Sequence, residues 1–424
     1  MERLEKEQDE FDPKREQERE NARILRRGVR NGVVGTLAVL SIGLFFLCTL
    51  TGKKIEFRNN YGNDREILND EVKGKIKELD AFVSAYYYDE SDIKELQDGI
   101  CQGMIAGLGD RYSVYYNKED YQQMLVSTTG EYYGIGAGLQ QDKDTMVVTI
   151  SKVYDGTPSQ EAGLLVDDVV LSVDGTEGTS MEVTDLVTLI RGEEGTTVHL
   201  AVYRPSTGEN LEFDVERKNI TLPSVAHEML SDRIGYILIE SFERNTGKQF
   251  AEAYRDLQSQ GVRALIIDLR YNGGGLVDSV VEILDDILPE GLLVYVKDKA
   301  GNRKDYTSSG DTQIDLPIAV LINQDSASAS EIFAGAIKDY EYGTLIGTKT
   351  FGKGIVQNIF PLEDGDAVKL TTAKYFTPKG NYIHGVGIEP DIEIAYEYLN
   401  PDGEKYEKQY DNQLQKAIEV LQGK

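Results

Sequence analysis

At 424 residues, with 42 glycines and 40% hydrophobic residues, the chain is long enough for two or three domains and an ample core. A formal net charge of −28 argues against nucleic acid as a partner, because phosphates repel such a surface. Two cysteines, Cys48 and Cys101, make no disulfide framework, and three histidines without a Cys/His cluster point to no structural zinc.

Residues 1–31 form a charged arm, expected to be helical or unstructured and solvated. Residues 32–52 then carry no charge, and as a helix they would reach about 31 Å, enough to cross a bilayer core. Arg23, Arg26, Arg27 and Arg30 precede that stretch, while only Lys53, Lys54 and Arg58 follow it closely. The positive-inside rule therefore predicts a cytoplasmic N-terminus and an extracytoplasmic bulk, held by a single-pass anchor in the cell membrane. The long charged arm favours an uncleaved anchor over a signal peptide. Phe46-Leu47-Cys48 lacks the small residues expected before a lipidated cysteine, so Cys48 reads as membrane apolar surface.

Residues 64–127 carry a helical pattern. Ile67, Val72, Ile76 and Leu79 lead into Tyr86-Tyr87-Tyr88, and Ile93, Leu96, Ile100, Met104, Ile105 and Leu108 repeat at helix spacing. A helical pair is expected, with the aromatic stripe as core and the pair as a candidate element for a homodimer. Residues 128–219 form a second unit. It contains strands at 146–153, 169–173, 198–202 and 211–215, a short helix at 158–164 closed by Gly163, and an amphipathic helix at 183–191. Gly134-Ile-Gly136 makes no phosphate loop, since no helix follows it directly.

From residue 220 to 398 the pattern changes. Short apolar runs at 234–239, 264–269, 292–296, 318–322 and 344–346 alternate with helical segments at 246–260 and 276–288. Such alternation predicts a largely parallel sheet covered on both faces. Residues 399–424 are a tail that includes a short amphipathic helix at 412–421.

Within this α/β part, Asn323-Gln-Asp-Ser-Ala-Ser-Ala-Ser330 joins an apolar strand to a helix whose Ala329, Ile332, Phe333, Ala336, Ile337 and Tyr340 share one face. Hydroxyls at a helix N-terminus lie where backbone amides and the dipole favour developing negative charge. An ordinary N-cap is the competing explanation. A nucleophilic serine also needs a base. His199 lies in a strand-like run, and neither His227 nor His384 has the flanking turn chemistry of a catalytic histidine, so a Ser-His-Asp triad is disfavoured. Lys353, in Phe351-Gly-Lys-Gly354, offers another route, because a buried amine without a carboxylate partner loses its charge and can take a proton. Gln357 supplies an uncharged amide that could hold this amine.

Thr157-Pro-Ser-Gln-Glu-Ala-Gly163-Leu, Asp168-Val-Val-Leu-Ser-Val-Asp174-Gly175 and Ile190-Arg-Gly192 resemble a PDZ domain, which adds an extended C-terminal peptide as a strand. The resemblance makes Tyr133, Gly134, Ile135 and Gly136 the carboxylate-holding loop, although Val166-Asp167 departs from the usual glycine. Asp268-Leu-Arg-Tyr-Asn-Gly-Gly-Gly275, Asp325-Ser-Ala-Ser-Ala-Ser-Glu-Ile and Phe351-Gly-Lys-Gly-Ile-Val-Gln357 resemble carboxyl-terminal processing, or tail-specific, proteases. That resemblance covers nearly everything after residue 52. It implies a multidomain α/β fold in which an N-terminal transmembrane helix, a helical segment and a PDZ domain precede a ClpP/crotonase-like α/β protease core. It further implies Ser328 as nucleophile, Lys353 as base, Gln357 as its positioner, and an oxyanion hole from the amides of Gly274 or Gly273 and of Ala329. Asp339 matches an acidic position of supporting character, and Tyr271-Asn272-Gly273 departs from the family's usual turn.

The expected function is that of a membrane-anchored serine endopeptidase acting on proteins with exposed C-terminal tails, needing no metal or organic cofactor. The alternatives are an inactive PDZ scaffold that binds C-termini and an acyl-thioester enzyme of related fold. The intact Ser328, Lys353 and Gln357 set argues against the first, and the PDZ unit is unexplained by the second.

Overall fold

The structure, a computed structural model, describes residues 66–142, 145–179, 181–311, 313–400 and 406–423. The charged arm and the expected membrane helix at 32–52 lie outside these residues. Among the described residues no helix is long and apolar enough to cross a membrane. The chain divides into two compact units, one ending at Ser91 and one beginning at Asp92.

In the first unit, helix α1 (Asp70–Tyr86) begins at Asn69, whose side chain accepts from the Val72 N–H at 3.0 Å. None of its residues is buried, and Tyr86 and Tyr88 are 79% and 96% exposed. The expectation that the aromatic stripe is core is therefore corrected. An apolar stripe shows which side of a helix seeks cover, not whether its own chain supplies that cover.

The second unit opens with α2 (Ile93–Ala106), capped by Asp92 and likewise without a buried residue. A turn leads to β1 (Val114–Tyr116) and then α3 (Lys118–Thr129), which stops at Gly130 with φ 67°. The β1 segment was expected to be helical. Its Val-Tyr-Tyr composition suits a strand, and three residues are too few to show a period of two inside a helical pattern.

The PDZ-like part contains β2 (Glu131–Gly134), β3 (Ala137–Gln141), β4 (Val148–Val153), α4 (Pro158–Ala162), β5 (Val169–Val173), β6 (Thr176–Glu177), α5 (Val183–Ile190), β7 (Thr197–Arg204), β8 (Glu209–Glu216) and β9 (Lys218–Thr221). Five strands run in the order β3-β4-β5-β7-β8, with β6 on β5, while β2 pairs with β9. Val148, Ile150, Val170, Val173, Val198, Leu200 and Val202 alternate inward and meet Leu164 and Leu186 in one core.

The α/β part follows as β10 (Val225–Met229), β11 (Ile234–Ile239), α6 (Thr246–Ser259), β12 (Ala264–Asp268), α7 (Val277–Ile287), β13 (Gly291–Asp298), β14 (Arg303–Ser308), β15 (Ile318–Ile322), α8 (Ala329–Asp339), β16 (Thr344–Gly347), β17 (Ile355–Pro361), β18 (Ala367–Phe376), β19 (Ile392–Glu393) and α9 (Asn412–Gln422). One sheet runs β10-β11-β12-β15-β16-β19, parallel throughout except for β10. Helices α6, α7 and α8 cover one face through Phe250, Ile283 and Phe333, and α9 covers the other through Leu414, Ala417 and Leu421. Both faces being dry, β12 and β15 are buried at every position, which is why they read as unbroken apolar runs. The β13 run was expected in this sheet. It lies instead in an antiparallel sheet, β1-β18-β13-β14 with β17 also on β18, because an apolar strand fits either kind of covered sheet.

Candidate active site

Strand β15 delivers the chain to Ser328 at the N-terminus of α8. Ser328 takes φ 56° and ψ −110°, a sparsely populated conformation for a residue with a side chain, which costs roughly 1–3 kcal/mol. Its neighbours hold it there. The buried Ser326 hydroxyl donates to the Leu269 carbonyl at 2.8 Å and accepts from the Asn323 N–H at 3.0 Å. The Ser330 hydroxyl donates to the Asn272 carbonyl at 2.8 Å, and the Ala327 N–H reaches the same carbonyl at 3.0 Å. Two of the three serines are thus structural ties. The Ser328 hydroxyl donates to no group among the described residues.

The turn after β12 packs directly on this serine. A Cβ on Gly274, which has φ 104°, would lie 2.7 Å from the Ser328 Cβ, 2.6 Å from the Ala327 carbonyl oxygen and 2.9 Å from the Ala329 nitrogen. Asn272 shapes the turn: its Nδ2 donates to the Ile239 carbonyl at 2.8 Å, and its Oδ1 accepts from the Gly274 N–H at 2.8 Å. Of the three expected oxyanion residues, Gly274 and Ala329 therefore meet at Ser328 while Gly273 is the next residue along the turn, and they differ in role. The Gly274 amide is engaged by Asn272, whereas the Gly273 and Ala329 amides donate to no group among the described residues.

Lys353 stands half-buried just before β17. A Cβ on its neighbour Gly354 would lie 2.6 Å from the His384 nitrogen, so backbone closes tightly around the lysine. Burial pushes the Lys353 amine below its usual pKa, and the charges of Lys369 and Arg111 push the same way, against Glu331 and Asp110. No salt bridge joins Lys353 to a carboxylate among the described residues. No hydrogen bond joins its amine to Ser328 or Gln357 either. Gln357 lies on β17 with its Nε2 buried and without a hydrogen-bond partner among the described residues. Asp339 accepts from the Lys379 N–H at 2.7 Å.

Glu331 links Ser328 and Lys353, a connection the motif spacing alone did not reveal. Its fully buried carboxylate accepts from the Ser328 N–H at 2.9 Å, the Lys353 N–H at 2.7 Å, the Gly352 N–H at 2.7 Å and the Thr350 hydroxyl at 2.6 Å. The only sequence signal was a Glu three residues after a serine at a helix start, the spacing of a capping box. His384, set aside as a catalytic base on sequence, lies near Lys353 across the Gly354 backbone. Its Nδ1 is buried without a partner, and its ring meets that of Tyr112 edge-on at 6.3 Å. The other histidines pair with Asp214 and Asp256 at partly exposed sites, and no histidine bonds Ser328 among the described residues.

In the PDZ-like part, Tyr133 is 48% exposed while Ile135 is buried. The Ile135 carbonyl accepts from the Ser159 N–H at 2.8 Å and its hydroxyl at 2.6 Å, tying the expected carboxylate loop to α4. The Gly136 φ of 79° suits a tight loop, and a Cβ there would strike Thr157 at 2.3 Å. Tyr132 fills space beside the loop, with the Arg191 guanidinium 5.0 Å above its ring.

Residues 233–394 match peptidase family S41, residues 149–204 a PDZ domain, and residues 41–120 the N-terminal domain of the activating protease CtpB. The chain is 36% identical over 324 residues to the carboxyl-terminal-processing protease of a Synechocystis species, across 76% of this chain and 75% of that protein. It is 35% identical over 329 residues to the carboxy-terminal processing protease CtpB of Bacillus subtilis, across 77% of this chain and 68% of that protein. Among solved structures it is similar to a photosystem II D1 C-terminal processing protease, with 28% identity, coverage of 77% of this chain and 88% of that chain, and a TM-score of 0.45.

Proposed function

Because this chain belongs to peptidase family S41, the carboxyl-terminal processing serine peptidases, we propose that Ser328 and Lys353 form its catalytic dyad. The carrying observation is the Glu331 carboxylate, which bonds the backbone amides of both residues and sets the Ser328 side chain against the Gly274 turn. Lys353, uncharged, takes the hydroxyl proton as Ser328 Oγ attacks the scissile carbonyl. The Gly273 and Ala329 amides face the oxyanion. Collapse breaks the C–N bond, the lysine returns the proton to the leaving amine, and water activated by the same lysine hydrolyses the acyl-enzyme. Gln357 holds the lysine amine once substrate closes the site. The PDZ domain captures the exposed C-terminus of a protein substrate through the Tyr133–Gly136 loop.

Residues 32–52 anchor this enzyme in the cell membrane with the N-terminus cytoplasmic and the peptidase outside. The apolar side chains that α1 and α2 expose are assigned to a second copy of the chain. Sedimentation of a variant carrying Leu96→Asp and Ile100→Asp tests that assignment, since a dimer should become a monomer. Cleavage of a folded reporter bearing an unstructured C-terminal tail tests the dyad. Ser328→Ala and Lys353→Ala should each abolish it with folding retained, and unchanged cleavage by either would overturn the assignment.

A further inference from the structure

The turn between α2 and β1 belongs by sequence to an accessory helical segment, yet it lies against the base of the dyad. The Lys353 Nζ sits 5.1 Å from the centroid of the Tyr112 ring. The Arg111 guanidinium lies 4.7 Å from the same ring and 5.3 Å from that of Phe351, and it donates to the Tyr112 hydroxyl at 2.5 Å. His384 meets the ring edge-on. An aromatic platform is thus built around an amine that has no hydrogen bond or ion pair among the described residues.

The platform is fixed to the peptidase sheet. Asp110 accepts from the Tyr112 N–H at 3.0 Å and from the Ser113 hydroxyl at 2.6 Å, and that hydroxyl in turn accepts from the Thr371 N–H at 3.1 Å. Thr371 stands opposite Gln357 in the β17–β18 ladder, beside a register shift. Directly after the turn, β1 pairs with β18 from Val114↔Lys369 to Tyr116↔Ala367. The same strand therefore holds the Tyr112 turn on one edge and carries Gln357's strand on the other.

We propose that Tyr112 is a positioning residue for Lys353, its ring seating the lysine amine and shielding it from water so that it faces Ser328 uncharged. The proposal rests on Lys353 being the base. A ring face favours an ammonium, whereas shielding from water disfavours it. Burial is the largest influence on this amine and lowers its pKa, so shielding prevails. Arg111, whose like charge acts in the same direction, is held in place by the Tyr112 hydroxyl and ring. The other charged groups near the amine are Glu331 on α8, Lys369 on β18 and Asp110 in the turn itself, with the His384 ring beyond Tyr112. None of these replaces the cover that Tyr112 provides.

The test uses the full-length protein and an internally quenched peptide with a free C-terminus, with kcat/KM measured across pH. For Tyr112→Ala the rising limb should move to higher pH by about one unit, a tenfold loss at a fixed pH on that limb. Tyr112→Phe keeps the ring and should leave the limb near its wild-type position. Tyr112→Leu, which keeps apolar volume should the alanine variant misfold, is expected to show an intermediate displacement. A limb that stays in place, or moves to lower pH, in the alanine and leucine variants overturns the proposal, even if kcat falls. Lys353→Ala run in parallel separates the two readings. Activity retained there removes the dyad itself, whereas activity lost there beside an unmoved Tyr112→Ala limb removes only the role of Tyr112.

Discussion

Replacing Glu331 with glutamine changes one heavy atom and disturbs four contacts. The carboxylate accepts from Ser328 and Lys353 through one oxygen and from Gly352 and Thr350 through the other. A glutamine retains one acceptor and presents an NH2 group in place of the second. The Thr350 hydroxyl can turn to accept from that NH2, since it already accepts from the Ile388 N–H at 2.7 Å and has a second lone pair. The NH2 should therefore face Thr350, leaving the Gly352 N–H against another donor. One buried unsatisfied donor costs about 1–3 kcal/mol, and the bonds that remain lose their assistance from charge. A loss of about 2–4 kcal/mol in unfolding free energy follows from those two terms. Part of it should appear in catalysis, because Ser328 is held in a strained conformation and a softer frame lets it relax. Urea unfolding and kcat/KM on the quenched peptide read the two effects, and at least a tenfold fall in kcat/KM is expected. A variant with unchanged urea midpoint and unchanged kcat/KM would refute the link between Ser328 and Lys353.

Gly274→Ala should abolish cleavage, since its Cβ would lie 2.7 Å from that of Ser328 at a φ of 104°. Labelling by a serine-reactive fluorophosphonate should fail in parallel, and normal labelling would show that the turn gives way. Asp411→Ala removes one of the two carboxylates on the buried Arg270, which keeps Asp268 and Gln413, and should cost roughly 1–3 kcal/mol by urea unfolding. Activity should rise with pH through the lowered Lys353 pKa and level off before the ordinary lysine value of 10.5. For stability the sign is the same: burying the charged amine is unfavourable at low pH, and that penalty is relieved as pH climbs from the lowered folded pKa towards the unfolded one. Lys353→Met should accordingly be inactive yet melt at a higher temperature at neutral pH, and a lower melting temperature would contradict the burial account.

Much of the fold could be read from residue pattern because burial leaves a strong signature. Strands β11, β12, β15 and β16 are unbroken apolar runs between amphipathic helices, and a sheet covered on both faces is what stabilises such runs. Strand β13 has the same composition in a different sheet, so pattern alone could not assign its partners. Ser328 and Lys353 were singled out by their flanking motifs. The function of Glu331 was not, because it exists only when the helix start and the Thr350–Lys353 loop meet. Tyr112 was hidden for the same reason: its segment reads as helical, and the strand that brings it to Lys353 is three residues long. The tyrosines at 86–88 misled in the opposite direction, since apolar spacing does not say whether cover is present.

The pairing of β1 with β18 bears on how the enzyme comes into being. Ser113 and the backbone of Thr371 bond across 258 positions, and Arg270 waits 141 positions for Asp411. Contacts so distant along the chain form late, after the loop-closure entropy of most of the polypeptide has been met. A ribosome-bound chain that has already exposed Ser328 and Lys353 still lacks α9 and Asp411. The buried Arg270, two residues before the Asn272 turn, thus stays without its second carboxylate until the residues that open α9 have been made.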